Sequence, residues 1–176
     1  QFDKDKKVLL VMGGSLGSKK LNSVIRENLE ALLEDYQIIH LTGKGLIDGS
    51  IQKEGYIQYE FVKEELTDLL AITDTVVSRA GSNAIYEFLT LRLPMLLIPL
   101  GLDQSRGDQI DNAKYFESKG YGRVVLEEEL SSTKLLEQLG DIEASRDSIM
   151  NHMSDYQESY TKEDLLNKII DDALSH

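Results

Sequence analysis

Apolar residues recur along this chain in two alternating styles. Short apolar runs end in glycine or polar clusters, and between them apolar residues return every third or fourth position. The runs Lys7–Met12, Ile38–Thr42, Tyr56–Phe61, Thr75–Ser78, Met95–Pro99 and Gly122–Leu126 predict strands. From Lys19 to about Glu34, residues Leu21, Val24, Ile25, Leu29 and Leu32 share one face at helical spacing, which predicts a helix. Further helices are expected over Glu64–Ile72, Asn83–Leu91 and Gly107–Lys119. The second of these stops before Pro94, whose ring keeps its predecessor out of helical geometry, and the third stops at Gly120. From Leu130 onward the pattern is helical only. Thr161 and Asp164 form a capping box opening a last helix, with Leu166, Ile169, Ile170 and Ala173 on one face.

Strands alternating with helices predict an α/β fold, a Rossmann-like doubly wound parallel sheet covered on both faces. The expectation is one domain over residues 1–176, with helices alone from about residue 130. In such sheets ligands sit outside the carboxyl ends of the strands, so the loops after each strand are where chemistry is expected.

Composition narrows the classes of function. The 176 residues are 41% hydrophobic and 28% charged, an ordinary globular balance. With no cysteine, disulfides and thiolate metal sites are excluded, and a reducing compartment fits. No apolar run approaches the ~20 residues that span a bilayer, and no signal-peptide pattern is present. The first residue is Gln, not Met, which suggests a processed or excised segment. A net charge of -12 repels nucleic acid and anionic lipid on average, so no nucleic acid partner and no direct membrane insertion are expected. A phosphate ligand would then depend on local positive potential.

Three loops offer it. Gly13-Gly14-Ser15-Leu16-Gly17-Ser18 follows the first strand and opens a helix, so close backbone amides, the helix N-terminus and the Ser15 hydroxyl could cradle a diphosphate. It is neither the dinucleotide fingerprint nor a Walker loop, and a ligand-free tight turn has the same residues. Gly13-Gly14-Ser15-Leu16-Gly17 also fits a nucleophile elbow formally, but the later histidines fall in the helical tail, where no triad is expected. After the fourth strand, Arg79-Ala80-Gly81-Ser82-Asn83-Ala84 opens a helix with Ser82 as its expected N-cap. Arg79 could neutralise phosphate or pair with a surface carboxylate. Glu87 could accept from a vicinal diol, although position alone favours an ordinary solvated helix glutamate. After the fifth strand, Asp108 and Gln109 fall in the first turn of a helix, where they could reach sugar hydroxyls. Gln109 offers both a donor and an acceptor. His40, His152 and His176 have no metal-ligand spacing, so no metal site is expected, and His40 reads as a structural histidine.

Together the motifs say more than any one does. Gly-Gly-Ser-x-Gly, His40-Leu41-Thr42-Gly43-Lys44, Arg-x-Gly-x-x-x-x-x-Glu and Asp-Gln-x-x-Asn-Ala, in that order over roughly Lys7 to Leu139, resemble the MurG family. The resemblance implies the C-terminal half of a GT-B glycosyltransferase, in which two Rossmann-like domains face each other across a cleft. This half would bind UDP-N-acetylglucosamine. The N-terminal half, expected outside this chain, would hold the lipid-linked acceptor and the catalytic base. The reaction implied is inverting transfer of N-acetylglucosamine to lipid I, giving lipid II for peptidoglycan, with no cofactor and no required metal. The implied setting is cytoplasmic, the full enzyme lying peripherally on the inner face of the cell membrane. By the same resemblance Gly14, Ser15 and Gly17 meet the donor phosphate, and Val62 lies beside the uracil. Arg79, Gly81, Ser82, Asn83 and Ala84 flank the diphosphate, Glu87 holds the ribose, and Gln109 reads the sugar. Asp108 stands where some members carry glutamine. Competing readings are the donor subunit of another GT-B enzyme acting on a glycolipid or lipid carrier, a nucleotide-binding module without catalysis, and an α/β protein whose glycine loops are only turns.

Overall fold

The computed structural model describes residues 2–102 and 107–159. The expected last helix, with its capping box at Thr161 and Asp164, lies outside the described residues.

Six strands form one parallel sheet: β1 (Lys7–Met12), β2 (Tyr36–Leu41), β3 (Tyr56–Tyr59), β4 (Thr75–Ser78), β5 (Met95–Leu97) and β6 (Gly122–Val124). The spatial order is β3-β2-β1-β4-β5-β6, and every neighbouring pair is parallel. Parallel strands need crossover connections, which place helices on the faces and bury the strands from both sides. Accordingly β2 and β4 are buried at every position, and Leu9, Leu10, Ile38, Val76, Val77 and Leu96 have no exposed surface. The chain winds outward from β1 to β2 and β3, then crosses back to continue from β4 on the other side. The direction therefore reverses between β1 and β4, and a crevice opens beyond their carboxyl ends.

The helices are α1 (Lys19–Glu27), α2 (Leu29–Asp35), α3 (Leu66–Ala71), α4 (Ser82–Thr90), α5 (Asp108–Ser118), α6 (Ser132–Ala144) and α7 (Arg146–Ser159), with a 3-10 turn at Glu127–Glu129. The single helix expected from Lys19 to about Glu34 is two helices. Asn28 breaks it, leaving helical geometry at φ -110°, ψ 13°. Its amide donates to the Val24 carbonyl and to the Ser132 hydroxyl, both at 2.7 Å, so its side chain competes with the backbone ladder and ties the break to α6. The expected N-cap of α4 also moves by one residue. Gly81 is the cap, in extended geometry, and Ser82 is the first helical residue. The Ser82 hydroxyl instead accepts from the Asn112 amide of α5 at 3.1 Å.

Candidate functional site

Two glycines fix the floor of the crevice. Gly17 (φ 74°) and Gly43 (φ 94°) bring the turns after β1 and β2 into backbone contact. A Cβ at Gly17 would overlap the Thr42 carbonyl oxygen, and one at Gly43 would overlap the Gly17 backbone. Behind that contact runs a buried chain of hydrogen bonds. Asn22 of α1 donates its amide to the Thr42 carbonyl at 2.8 Å, which turns its oxygen toward His40 Nε2 at 2.9 Å. A carbonyl can only accept, so Asn22 is fixed in orientation, His40 carries its proton on Nε2, and Tyr56 donates its hydroxyl to Nδ1 at 2.9 Å. Burial, with the Arg26 charge nearby, pushes His40 down to about 3, so it stays neutral. It is a satisfied core histidine, as its isolation in the sequence suggests.

On one side of the turn after β1, an apolar pocket of about 550 Å³ is lined by Gly14, Ser15, Leu16, Phe61, Val62 and Leu66, among others. The expected phosphate serine and the expected base-side valine thus share one cavity. Leu16 is 84% exposed and Phe61 is 53% exposed, which leaves apolar surface uncovered at its mouth. Lys44, Lys63 and Glu60 stand at its polar rim. In the sequence Phe61 reads only as the end of a strand. β3 stops at Tyr59, so Phe61 stands on the loop instead.

On the other side, Gly17 and Ser18 line a second cleft of about 460 Å³ with Arg79 and Glu127. Ser18 is the N-cap of α1, its hydroxyl accepting from Leu21 N–H at 3.2 Å. Arg79 is only 7% exposed. Its terminal nitrogens donate to Glu127 at 2.6 Å and to the carbonyls of Ile98 (3.2 Å) and Pro99 (3.4 Å). Of the two roles open to Arg79, the structure displays the carboxylate pairing, although the partner is half-buried instead of at the surface.

Gln109 bridges two loops. Its Oε1 accepts from Ala80 N–H at 3.3 Å and from Leu100 N–H at 3.1 Å, so the Nε2 donors face away from those backbones. Asn112, one turn further along α5, donates to the Ala80 carbonyl at 3.4 Å as well as to Ser82. These contacts hold the start of α5 against the start of α4. Asn83, Glu87 and Asp108 are exposed, and with Ser82 they line neither cleft. The first turns of α1 and α4 contain no acidic residue of their own, and the carboxylate that meets the α1 cap, Glu127, is itself paired with Arg79. Together with the glycine-loop amides these helix starts have the chemistry to receive an anion, on a chain whose overall charge is strongly negative. Among the described residues no group of three His, Asp or Glu side chains could hold a metal ion, and no helix is long and apolar enough to cross a membrane.

Comparison with known proteins gives the family and the fold. Residues 8–169 match the glycosyltransferase family 28 C-terminal domain. The UDP-N-acetylglucosamine--N-acetylmuramyl-(pentapeptide) pyrophosphoryl-undecaprenol N-acetylglucosamine transferase of Staphylococcus haemolyticus is 79% identical over 173 residues, covering 98% of this chain and 49% of that protein. The Staphylococcus aureus protein of the same name is 70% identical over 174 residues, 99% of this chain and 49% of its own length. The chain therefore spans about half the length of these relatives. Among solved structures, Acinetobacter baumannii MurG superposes with a TM-score of 0.73 at 21% identity, over 92% of this chain and 47% of that one. The kitacinnamycin glycotransferase reaches 0.75 at 20% identity, over 90% and 40% respectively. At such identities the structures establish the shared fold, that of one half of a GT-B glycosyltransferase. By its sequence match over most of its length, the chain belongs to the glycosyltransferase family 28 C-terminal domain family.

Proposed function

We propose that this chain is the donor-binding half of an inverting glycosyltransferase that moves N-acetylglucosamine from UDP to lipid I, forming lipid II. The observation that carries this reading is the apolar pocket beyond the carboxyl ends of β1, β2 and β3, beside the switch point. Ser15 and the glycine amides there adjoin an open apolar wall made by Leu16, Phe61 and Val62. A flat uracil fits such a wall, and a diphosphate fits the amides beside it. Val62 is assigned to the base. Gly14, Ser15 and Gly17 receive the phosphates together with the start of α4, from Gly81 through Ser82, Asn83 and Ala84. Glu87 accepts from the ribose diol, and Asp108 and Gln109 meet the sugar. Arg79, held inside and paired with Glu127, braces the loops from behind.

In the reaction, the acceptor's 4-hydroxyl oxygen attacks the anomeric carbon. The bond from that carbon to the β-phosphate oxygen breaks, and its electron pair leaves with UDP. The hydroxyl proton passes to a base in the acceptor-binding half. This chain's part is electrostatic: backbone amides and helix N-termini stabilise charge as it grows on the departing diphosphate. The relatives' shared name, with its UDP-sugar donor and undecaprenol-linked acceptor, supports that choice of substrates. The acceptor would be met through the other half, peripherally on the cytoplasmic face of the membrane.

Calorimetry with UDP, UDP-N-acetylglucosamine and UDP-glucose tests the reading. Saturable UDP binding is expected, weakened by roughly one charge-assisted hydrogen bond, about 2 kcal/mol, in Glu87→Ala. UDP binding that ignores Glu87→Ala would remove the ribose assignment, and no UDP binding would remove the donor site.

A further inference from the structure

Glu127 belongs to the 3-10 turn after β6, the edge strand of the sheet, yet its carboxylate reaches the switch point. Its Oε1 accepts from the Arg79 guanidinium at 2.6 Å and from the Ser18 hydroxyl at 3.0 Å. Lys20 closes onto its main-chain carbonyl and reaches that of Glu128 at 3.2 Å. The Arg79 and Glu127 side chains are only 9% and 14% exposed, so water screens the pair weakly. Because Arg79 also donates to Ile98 and Pro99, this one ion pair joins the segments leaving β1, β4, β5 and β6.

The two helices of the crevice start from these anchors. Ser18 caps α1, and Arg79 stands two residues before Gly81, the cap of α4. We propose that Glu127 is a positioning residue for diphosphate binding: from behind the loops it sets the spacing between the Gly13–Ser18 turn and the start of α4. This rests on the donor-site reading above. Glu127 does not touch the ligand in this account, since a carboxylate would repel phosphate and its charge is already answered by Arg79. What it contributes is preorganisation. Two glycine-containing loops that are held apart at the right distance need not be ordered when the diphosphate arrives. Phe61 and Val62 of the base wall, on the loop after β3, are independent of it, because Ser18, Lys20, Arg79 and Glu127 do not line their pocket and only Leu16 of the wall belongs to the turn that Glu127 positions.

That independence gives the test. Uridine and UDP are titrated into the 176-residue chain and its Glu127→Ala, Glu127→Gln and Arg79→Met variants, with the Val62 amide followed by NMR. UDP should bind at least about tenfold more weakly to Glu127→Ala, as expected for losing one member of a buried charge pair, while uridine, which meets that turn only at Leu16, should lose much less. Glu127→Gln keeps an acceptor for Ser18 and Arg79 and should fall between. Adding Glu127→Ala to Arg79→Met should cost less than it does alone, because the two act as one unit. If Glu127→Ala does not fold, Glu127→Gln carries the comparison. Equal losses for uridine and UDP would mean a merely structural ion pair and overturn the inference, as would unchanged UDP binding in both Glu127 variants. Should the unaltered chain bind UDP while the variants bind it equally well, only the positioning role fails. Should the unaltered chain bind neither ligand, the donor-site reading fails and this inference with it.

Discussion

At the residue scale, Gln109 shows how a fold narrows what a side chain can say. In the sequence its amide offers a donor and an acceptor. In the structure Ala80 and Leu100 occupy the acceptor, so Gln109 can address a sugar only by donating. Gln109→Glu would keep both backbone ties but present oxygen where N–H had been. We expect UDP affinity to hold while the preference for UDP-N-acetylglucosamine over UDP falls by about 1 kcal/mol, roughly fivefold, the worth of one hydrogen bond. Calorimetry with the two ligands decides, and an unchanged preference would detach Gln109 from the sugar. The position of Gln109 at a helix start was legible in the sequence. Its orientation was not, because the backbone groups that fix it come from two other loops. Glu127 is illegible in the sequence for the same reason: it stands in an acidic run, Glu127-Glu128-Glu129, and nothing local distinguishes the one carboxylate that turns inward.

Elements follow the hydrophobic pattern closely where a strand is buried on both faces, and less closely where a polar side chain intervenes. All the expected strands form, and most differ only at their ends. The break in the first helix was hidden because Leu21, Val24, Ile25, Leu29 and Leu32 keep helical spacing across Asn28, which does not show that Asn28 bonds to α6. The turns after β1 and β2 were recognisable as glycine loops, but their mutual contact was not. Gly17→Ala tests that contact. A methyl there would overlap Thr42 and sit at a positive φ, so the variant should lose about 1–3 kcal/mol of stability and most of its UDP affinity together. Denaturant melts and a UDP titration measure the two effects. A variant with unaltered stability would show that the turns are not in contact.

At the scale of the whole molecule, the sheet has a bolt at one end and the site at the other. Glu143 of α6 accepts from Lys7, from the Tyr36 hydroxyl at 2.8 Å, from Arg146 and from Thr75 at 3.3 Å, tying together the first residues of β1, β2 and β4. Burial alone would raise its pKa, but hydrogen bonds from Arg146, Lys7 and Tyr36 outweigh that and hold it at about 2, below the ordinary 4.5. A lowered carboxylate pKa stabilises the fold fully above 4.5, and that stability is lost as the pH falls from there toward 2. Glu143→Gln should therefore flatten the acid limb of the stability curve while leaving UDP binding at neutral pH unaltered. Thermal melts across pH give the answer, and an acid limb identical in the two proteins would exclude Glu143 as its source. The broad architecture was readable from alternation of strand and helix, whereas this bolt joins residues 136 apart in sequence and left no local signal.

The central claim is that one crevice, at the reversal between β1 and β4, holds the UDP of a sugar donor. Amide shifts on adding UDP to the isotope-labelled chain test it most directly. The account predicts saturable changes at Gly14, Ser15, Gly17, Val62, Asn83, Ala84 and Glu87, with Lys7, Tyr36 and Glu143 at the opposite end unmoved. Changes scattered over the surface, or none at the glycine loop and the start of α4, would contradict it.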